Sequence, residues 1–430
     1  MTVRITKPIL GGSVCAIASK SEAHRLLICA ALADSATHIS CPERSEDIDA
    51  TARCLRALGA GSRYYGNGFI ITPIDRDAEN QPEYALDCGE SGSTLRFLLP
   101  VCGSLFSKTV FNMGGRLPKR PLSELCDEMA AHGCSFSNQG SSPLVCMGRL
   151  ESGTFTLPGN VSSQFVSGLL FALPLLSGDS RICVTGVLES RPYVDMTLDA
   201  LQLYGVEIIE EEQNVFSIAG NQTFCSPQNA RVGGDWSNAA FWLSAGAIGQ
   251  NSVTCTNLDP ASRQGDRAIA ELLSRFGARV LWGVDYLTVS PGALRGIDVE
   301  VGDTPDLAPA LAAVASIAEG KTVIRNAGRL RSKESDRLRA IASFLTDLGA
   351  DISETSDGLT IIGKKTLKGG ETWSYGDHRI AMSAAIVSAR CDEPVVIRGA
   401  EAVRKSYQGF FEDFCDSLGG EIEIVKVASG

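Results

Sequence analysis

Eleven consecutive residues, Arg329 to Arg339, hold four arginines, one lysine and two carboxylates. Leu338, Ile341, Ala342, Leu345 and Leu348 follow at helical spacing, which places the charges at or just before a helix N-terminus, with Ser332 or Ser335 as the candidate cap. Cations at that end oppose the helix dipole, which favours negative charge there. An anionic ligand shared between the arginines and the free backbone N–H groups would account for them. The plainer alternative is a solvated helix start with Glu334 paired to Arg337.

The rest of the composition narrows the chemistry. At 430 residues the chain is too long for one ordinary core, and two or three domains are expected. Its net charge of -11 argues against a nucleic-acid partner, whose phosphates need clustered cations, but leaves room for small anions bound by a local basic patch. Fourteen cysteines with no Cys-x-x-Cys spacing and no signal peptide ahead of them fit a reduced, cytoplasmic protein. The four histidines are far apart, so no zinc cluster is expected. The most apolar run, Phe165 to Leu176, is too short for a membrane span and contains Pro174. The chain opens on a strand-like Val3-Arg-Ile5, which leaves no room for a targeting segment.

The elements that must position these charges repeat. Gly59, Gly133, Gly205, Gly277, Gly349 and Gly419 each end a helical pattern, 74, 72, 72, 72 and 70 residues apart. A second series opens apolar helices at Ser21, Ser93, Ser163, Ser237, Asp306 and His378. Those near Phe165–Leu176, Ala239–Ile248 and Leu307–Ile317 are apolar on nearly every face, as buried helices are. Each repeat of about 72 residues reads as strand, buried helix, strand, amphipathic helix and two strands. Six units exceed one core, so two α/β domains of three repeats are expected: residues 1–18 with 234–430, and residues 19–233. The helix starts are repeatedly basic, at Arg120, Arg191, Arg267, Arg337 and Lys405 and at Lys20, Arg25, Arg96 and Arg379. Their convergence in a cleft between the domains would make an anion site in an acidic protein.

Nine stretches carry a family resemblance: Ser19-Lys-Ser-Glu-Ala-His-Arg25, Gly89-Glu-Ser-Gly-Ser-Thr-Leu-Arg96, Arg120-Pro121, Ser162-Ser-Gln164, Ser190-Arg-Pro-Tyr193, Pro305-Asp306, Lys333-Glu-Ser-Asp-Arg337, Asp377-His-Arg379 and Lys405-Ser406. The ordered set, spread over nearly the whole chain, resembles the 5-enolpyruvylshikimate-3-phosphate synthases among the enolpyruvyl transferases. The resemblance implies an inverted, barrel-like two-domain α/β fold of six βαβαββ repeats. It implies transfer of the enolpyruvyl group of phosphoenolpyruvate to the 5-hydroxyl of shikimate 3-phosphate, in aromatic amino acid biosynthesis, at a site competed for by the herbicide glyphosate. No metal or other cofactor is expected, and no partner beyond the two anions: no nucleic acid, no membrane, and a monomer.

By carry-over, Lys20, Gly92, Arg120, Gln164, Arg337, Arg379 and Lys405 would hold phosphoenolpyruvate. Arginine forks suit its phosphate and carboxylate, and Gly92 suits close backbone approach, although a tight turn before a helix also explains it. Lys20, Ser21, Arg25, Ser162, Ser163, Gln164, Ser190, Tyr193, Asp306 and Lys333 would bind shikimate 3-phosphate. For Ser162 and Ser163 the alternative is plain helix capping, and for Asp306 an N-cap. Asp306 is the candidate base at the 5-hydroxyl, with Lys20 or Lys333 beside it, and Glu334 the candidate acid at the methylene carbon.

Three positions depart from the family pattern: Glu90 and Arg329 stand where relatives have asparagine, and Gln408 where proline is common. The sister reading, a transferase acting on UDP-N-acetylglucosamine, calls for a cysteine where this chain has Gly115. A DNA clamp of repeated α/β units would present basic helices rather than apolar ones, and a non-catalytic anion-binding protein would need the cations but neither Asp306 nor Glu334.

Overall fold

The structure is a computed structural model describing residues 1–75 and 83–425. Twelve α-helices are present among the described residues: α1 (Lys20–Leu32), α2 (Glu46–Ala57), α3 (Gly92–Leu105), α4 (Ser123–Ala131), α5 (Ser163–Ala172), α6 (Arg191–Leu203), α7 (Trp236–Ile248), α8 (Ile269–Phe276), α9 (Ala308–Ala315), α10 (Arg337–Asp347), α11 (His378–Val387) and α12 (Phe410–Asp416). The odd-numbered helices are the apolar ones. Every residue of α7, α9 and α11 is buried, and their alanines and glycine let these three helices pack directly on one another. The even-numbered helices show one apolar face each. None of the helices is long and apolar enough to cross a membrane.

The chain divides into two compact units, Met1–Ser19 with Gly233–Gly430, and Lys20–Val232. Each holds three four-stranded sheets, and each sheet combines one parallel pair with antiparallel neighbours. In one of them Tyr84–Asp87 runs parallel to Lys108–Asn112, which pairs antiparallel with Leu144–Gly148, itself paired with Cys134–Ser137. A parallel pair needs a crossover, and in four of the six sheets a single buried helix, α3, α5, α9 or α11, makes it.

Three strands close the units in a way that a linear repeat count does not convey. Thr2–Lys7 inserts between Val395–Arg398 and Glu421–Val425, so the chain's first strand completes the sheet of its last repeat. Gly12–Cys15 lies parallel to Val253–Thr256 and opens the fourth repeat, while Asn229–Arg231 lies parallel to Thr37–Ser40 and completes the first. The six helix-terminal glycines all adopt left-handed φ, from 72° at Gly419 to 105° at Gly277, a region where other residues are strained.

One expectation is corrected. Neither Ser332 nor Ser335 caps α10. Ser332 ends a 3₁₀ turn, Gly328–Ser332, and the cap is Asp336, whose carboxylate accepts from the Arg339 N–H at 3.2 Å. The same carboxylate pairs with Arg331. Replacing Asp336→Ala should lower stability by about 1 kcal/mol, the usual loss for an N-cap carboxylate. An unchanged denaturant midpoint would show that the cap contributes nothing.

Candidate active site

In the unit containing α7 to α12, side chains from three helix starts converge on Arg337. This residue opens α10 and is 1% exposed, so its charge must be matched by protein groups. Its Nε donates to Asp377 Oδ2 at 2.8 Å, its Nη1 to Asp306 Oδ1 at 2.9 Å and its Nη2 to Glu334 Oε2 at 2.6 Å. Asp377 is fully buried and caps α11 by accepting the Arg379 N–H at Oδ1, while Ser335 Oγ donates to Oδ2. Arg379 returns to Asp306, donating from Nη2 to Oδ2 at 3.0 Å, and Lys333 Nζ lies 3.6 Å from Oδ1. Three carboxylates thus face three cations, which resolves the opposition between arginines and a helix N-terminus seen in the sequence.

This geometry separates two titrating groups. Burial alone would raise the Asp306 carboxyl, but Arg379, Lys333 and Arg337 hold it well below the usual carboxylate range. Asp306 is therefore a strong hydrogen-bond acceptor and a weak base. Burial, helped by Arg337 and Arg329, outweighs the pull of Asp306 and Glu334 and lowers the Lys333 ammonium to about 8. Asp306 does not act as the N-cap considered for it, since it lies inside a 3₁₀ turn, Pro305–Leu307, whose N-cap is Thr304. Lys405 is also buried, at the end of the Ala400–Lys405 turn.

The other unit presents a second set. Lys20 Nζ, at the start of α1, pairs with Asp47 Oδ2 at 3.0 Å. Arg25, 2% exposed, donates from Nε to Thr197 Oγ1 at 2.9 Å, from Nη2 to the Tyr193 carbonyl at 2.6 Å and from Nη1 to the Ser21 carbonyl. These three bonds tie together the chain at Ser21 and Tyr193 and leave two of the five guanidinium N–H groups for a ligand. Ser162 is the N-cap of α5, accepting from the Gln164 N–H at 3.3 Å, and Ser163 is the first residue of that helix. Gln164 Oε1 accepts from Arg96 Nη1 and its Nε2 donates to Ser93 Oγ, both at 2.8 Å, which fixes the orientation of its amide. Ser190 opens α6 with φ 58°, a strained conformation for serine of the kind concentrated at functional sites.

The Arg120 guanidinium lies over Gly92. A Cβ on Gly92 would fall 2.8 Å from Arg120 Nη1 and 3.0 Å from its Cζ, so the missing side chain permits this approach and the turn explanation is incomplete. Of the departing residues, Glu90 lays its carboxylate on Gly115, where any side chain would strike it. Arg329 Nη2 donates to the Gly302 carbonyl at 2.6 Å, and Gln408 is exposed at a turn.

Three residues outside the sequence-based site arguments hold these groups, Asp47 under Lys20, Thr197 under Arg25 and Asp377 under Arg337, and Arg96, one of the basic helix starts, holds Gln164. Asp377 was within reach, since it sits beside Arg379 in a charged triplet before an apolar helix. Asp47 and Thr197 face inward from amphipathic helices and carry no such sign. Asp377→Ala should cost about 3 kcal/mol or more, because it leaves a buried guanidinium uncompensated. A loss below about 1 kcal/mol, the size of an exposed pair, would contradict that burial.

Comparison with known proteins identifies the family. The family profile described as EPSP synthase (3-phosphoshikimate 1-carboxyvinyltransferase) matches residues 4–414. The chain is 45% identical over 422 residues to a protein of Clostridium kluyveri named 3-phosphoshikimate 1-carboxyvinyltransferase, covering 98% of each chain. It is 42% identical over 432 residues to the protein of that name from Clostridioides difficile, again covering 98% of each. Among solved structures, EPSP synthase from Acinetobacter baumannii superposes with a TM-score of 0.80 at 26% identity, over 98% of this chain and 100% of that one. The enolpyruvyl transferase NikO from Streptomyces tendae, at 20% identity and a TM-score of 0.79 over 99% of both chains, shares the fold. With a match spanning nearly its full length and relatives above 40% identity, this chain belongs to the EPSP synthase family of enolpyruvyl transferases.

Proposed function

We propose that this enzyme transfers the enolpyruvyl group of phosphoenolpyruvate to the 5-hydroxyl of shikimate 3-phosphate and releases phosphate, with both units contributing residues to one turnover. The observation that carries the reading is the balanced cluster around Arg337, where two carboxylates of different environment stand beside cations suited to a phosphate and a carboxylate. Two polyanionic substrates need such fixed cations, and positioned charge of this kind is commonly the largest catalytic contribution.

In the proposed mechanism Gly92, Arg120, Gln164, Arg337, Arg379, Lys405 and Lys20 bind phosphoenolpyruvate. Ser21, Arg25, Ser162, Ser163, Gln164, Ser190 and Tyr193 bind shikimate 3-phosphate with Lys20, Asp306 and Lys333. Glu334 protonates the methylene carbon, which makes C2 electrophilic. Asp306 accepts a hydrogen bond from the 5-hydroxyl and orients it, and Lys333 takes its proton as the oxygen attacks C2. The resulting tetrahedral species expels phosphate when Glu334 recovers a proton from the new methyl group. Glu334 is held by Arg337 at 2.6 Å, so an incoming carboxylate that takes over that guanidinium also frees the acid. The proposed setting is a monomer in a reducing cytoplasm, in keeping with fourteen unpaired cysteines.

The UDP-N-acetylglucosamine alternative has less support, because this chain has Gly115 where that enzyme's cysteine would be expected. A phosphate-release assay with phosphoenolpyruvate and each acceptor decides between them. Turnover with shikimate 3-phosphate is expected, and turnover only with the nucleotide sugar, or with neither, refutes the proposal.

Glu334→Gln should lower kcat by a factor of about 10² to 10⁴, the range for loss of a general acid, without raising the KM for phosphoenolpyruvate. A wild-type kcat, or a loss confined to KM, would remove Glu334 from the acid role. A base with a pKa of about 8 is increasingly deprotonated as pH rises, so kcat/KM should climb with pH and level off near that value. Lys333→Met should abolish this limb together with most of the activity; an unchanged profile would assign the proton to another group.

A further inference from the structure

Helix α2 contributes no proposed ligand contact, yet it bridges two helices of its unit that do, α1 and α3. Lys20 and His24 are one turn apart on α1, and Asp47 and Thr51 are one turn apart on α2. The first rung is the Lys20–Asp47 ion pair. The second is a bond of 2.7 Å between His24 Nδ1 and Thr51 Oγ1. From Thr51 the connection continues to Thr94 Oγ1 at 2.7 Å and from Thr94 to Ser91 Oγ at 2.7 Å. Ser91 is the N-cap of α3 and accepts the Thr94 N–H at 3.3 Å, immediately before Gly92. All four side chains are fully buried.

The proton positions along this wire follow from its far end. The Thr94 hydroxyl donates to Ser91, so Thr94 can only accept from Thr51. The Thr51 proton is then committed, and Thr51 Oγ1 must accept from His24. His24 therefore carries its hydrogen on Nδ1 and leaves Nε2 bare. That agrees with the surroundings, where Nε2 has no partner among the described residues and the ring stands edge-on to Phe97 at 6.4 Å. An unmet lone pair is easier to bury than an unmet N–H. Burial lowers the imidazole pKa to about 3, so the ring stays neutral and the wire keeps one direction at ordinary pH.

We infer that the His24–Thr51–Thr94–Ser91 wire positions the backbone of Gly92 relative to Lys20, making Thr51 and Thr94 positioning residues for phosphoenolpyruvate binding. The inference rests on the proposed contact between Gly92 and that substrate. The Thr51 and Thr94 hydroxyls, each with two bonds of 2.7 Å, hold α3 to a register that apolar packing alone would leave free to slide. Displacement of a binding group by about 1 Å can cost up to a hundredfold, so a tenfold effect is a reasonable scale for losing the wire.

The test uses the full-length protein and two readouts. Thr94→Val, nearly isosteric, should raise the KM for phosphoenolpyruvate by about tenfold while leaving kcat and the KM for shikimate 3-phosphate within about twofold, and Thr94→Ser should restore it. Thr51→Val interrupts the same wire one step earlier and should behave alike, which guards against a folding defect in one variant. Nitrogen-15 NMR of the wild-type protein should show His24 as the Nδ1–H tautomer, and Thr51→Val should perturb that signal. The inference is overturned if both valine variants keep the wild-type KM while Gly92→Ala raises it, or if His24 is the Nε2–H tautomer. If Gly92→Ala also leaves KM unchanged, the Gly92 contact itself has failed and the functional part of the inference falls with it, whatever the tautomer shows.

Discussion

The buried charge of Arg337 constrains more of this molecule than any other single group. A guanidinium with 1% exposure is tolerated only where acceptors surround it, and it is met by Asp377 from the cap of α11, Asp306 from the turn before α9 and Glu334 from its own helix start. Those three contacts fix the relative position of three helix N-termini. They also set the chemistry, because the cations that neutralise Asp306 make it a poor base while burial brings Lys333 toward neutrality. One arrangement of charge therefore bears on both where the helices start and how readily Asp306 and Lys333 hold a proton.

The cluster exists because the architecture repeats. Each repeat places a buried helix and an amphipathic helix with their starts on loops that leave a sheet, and successive repeats bring these starts together within a unit. The apolar odd-numbered helices pack closely through their small residues, and polar contacts at their first turns add direction to that packing. Polar groups at their first turns are then held from below by residues such as Asp47, Arg96, Thr197 and Asp377, which touch the proposed binding residues rather than a substrate.

Much of this was legible in the chain before any coordinates. The spacing of Gly59 through Gly419 marks six helix ends, because a left-handed residue is needed there and glycine adopts it without strain. The apolar run at Leu307–Ile317 marks a buried helix by lacking a polar face, and the charges before α10 mark a helix start where the structure gathers buried ion pairs. What was hidden depends on contacts between distant segments. Strand pairing of Thr2–Lys7 with Glu421–Val425 has no local signal. The cap of α10 was misplaced because Ser332, Ser335 and Asp336 are equally good by type, and only the 3₁₀ turn ahead of the helix selects Asp336. The opposite shifts of Asp306 and Lys333 likewise depend on burial and on charges brought from distant segments, which residue type alone does not convey.

The central claim is that substrate anions take over guanidinium contacts that protein carboxylates hold in their absence. The most direct measurement is a crystal structure with shikimate 3-phosphate and phosphoenolpyruvate, or an unreactive analogue of the latter, both bound. Arg337 Nη2 should leave Glu334 for a ligand oxygen, with its bond from Nε to Asp377 retained and Glu334 placed at the methylene carbon. A complex in which Arg337 keeps its Asp306, Glu334 and Asp377 contacts and touches neither substrate would contradict the account.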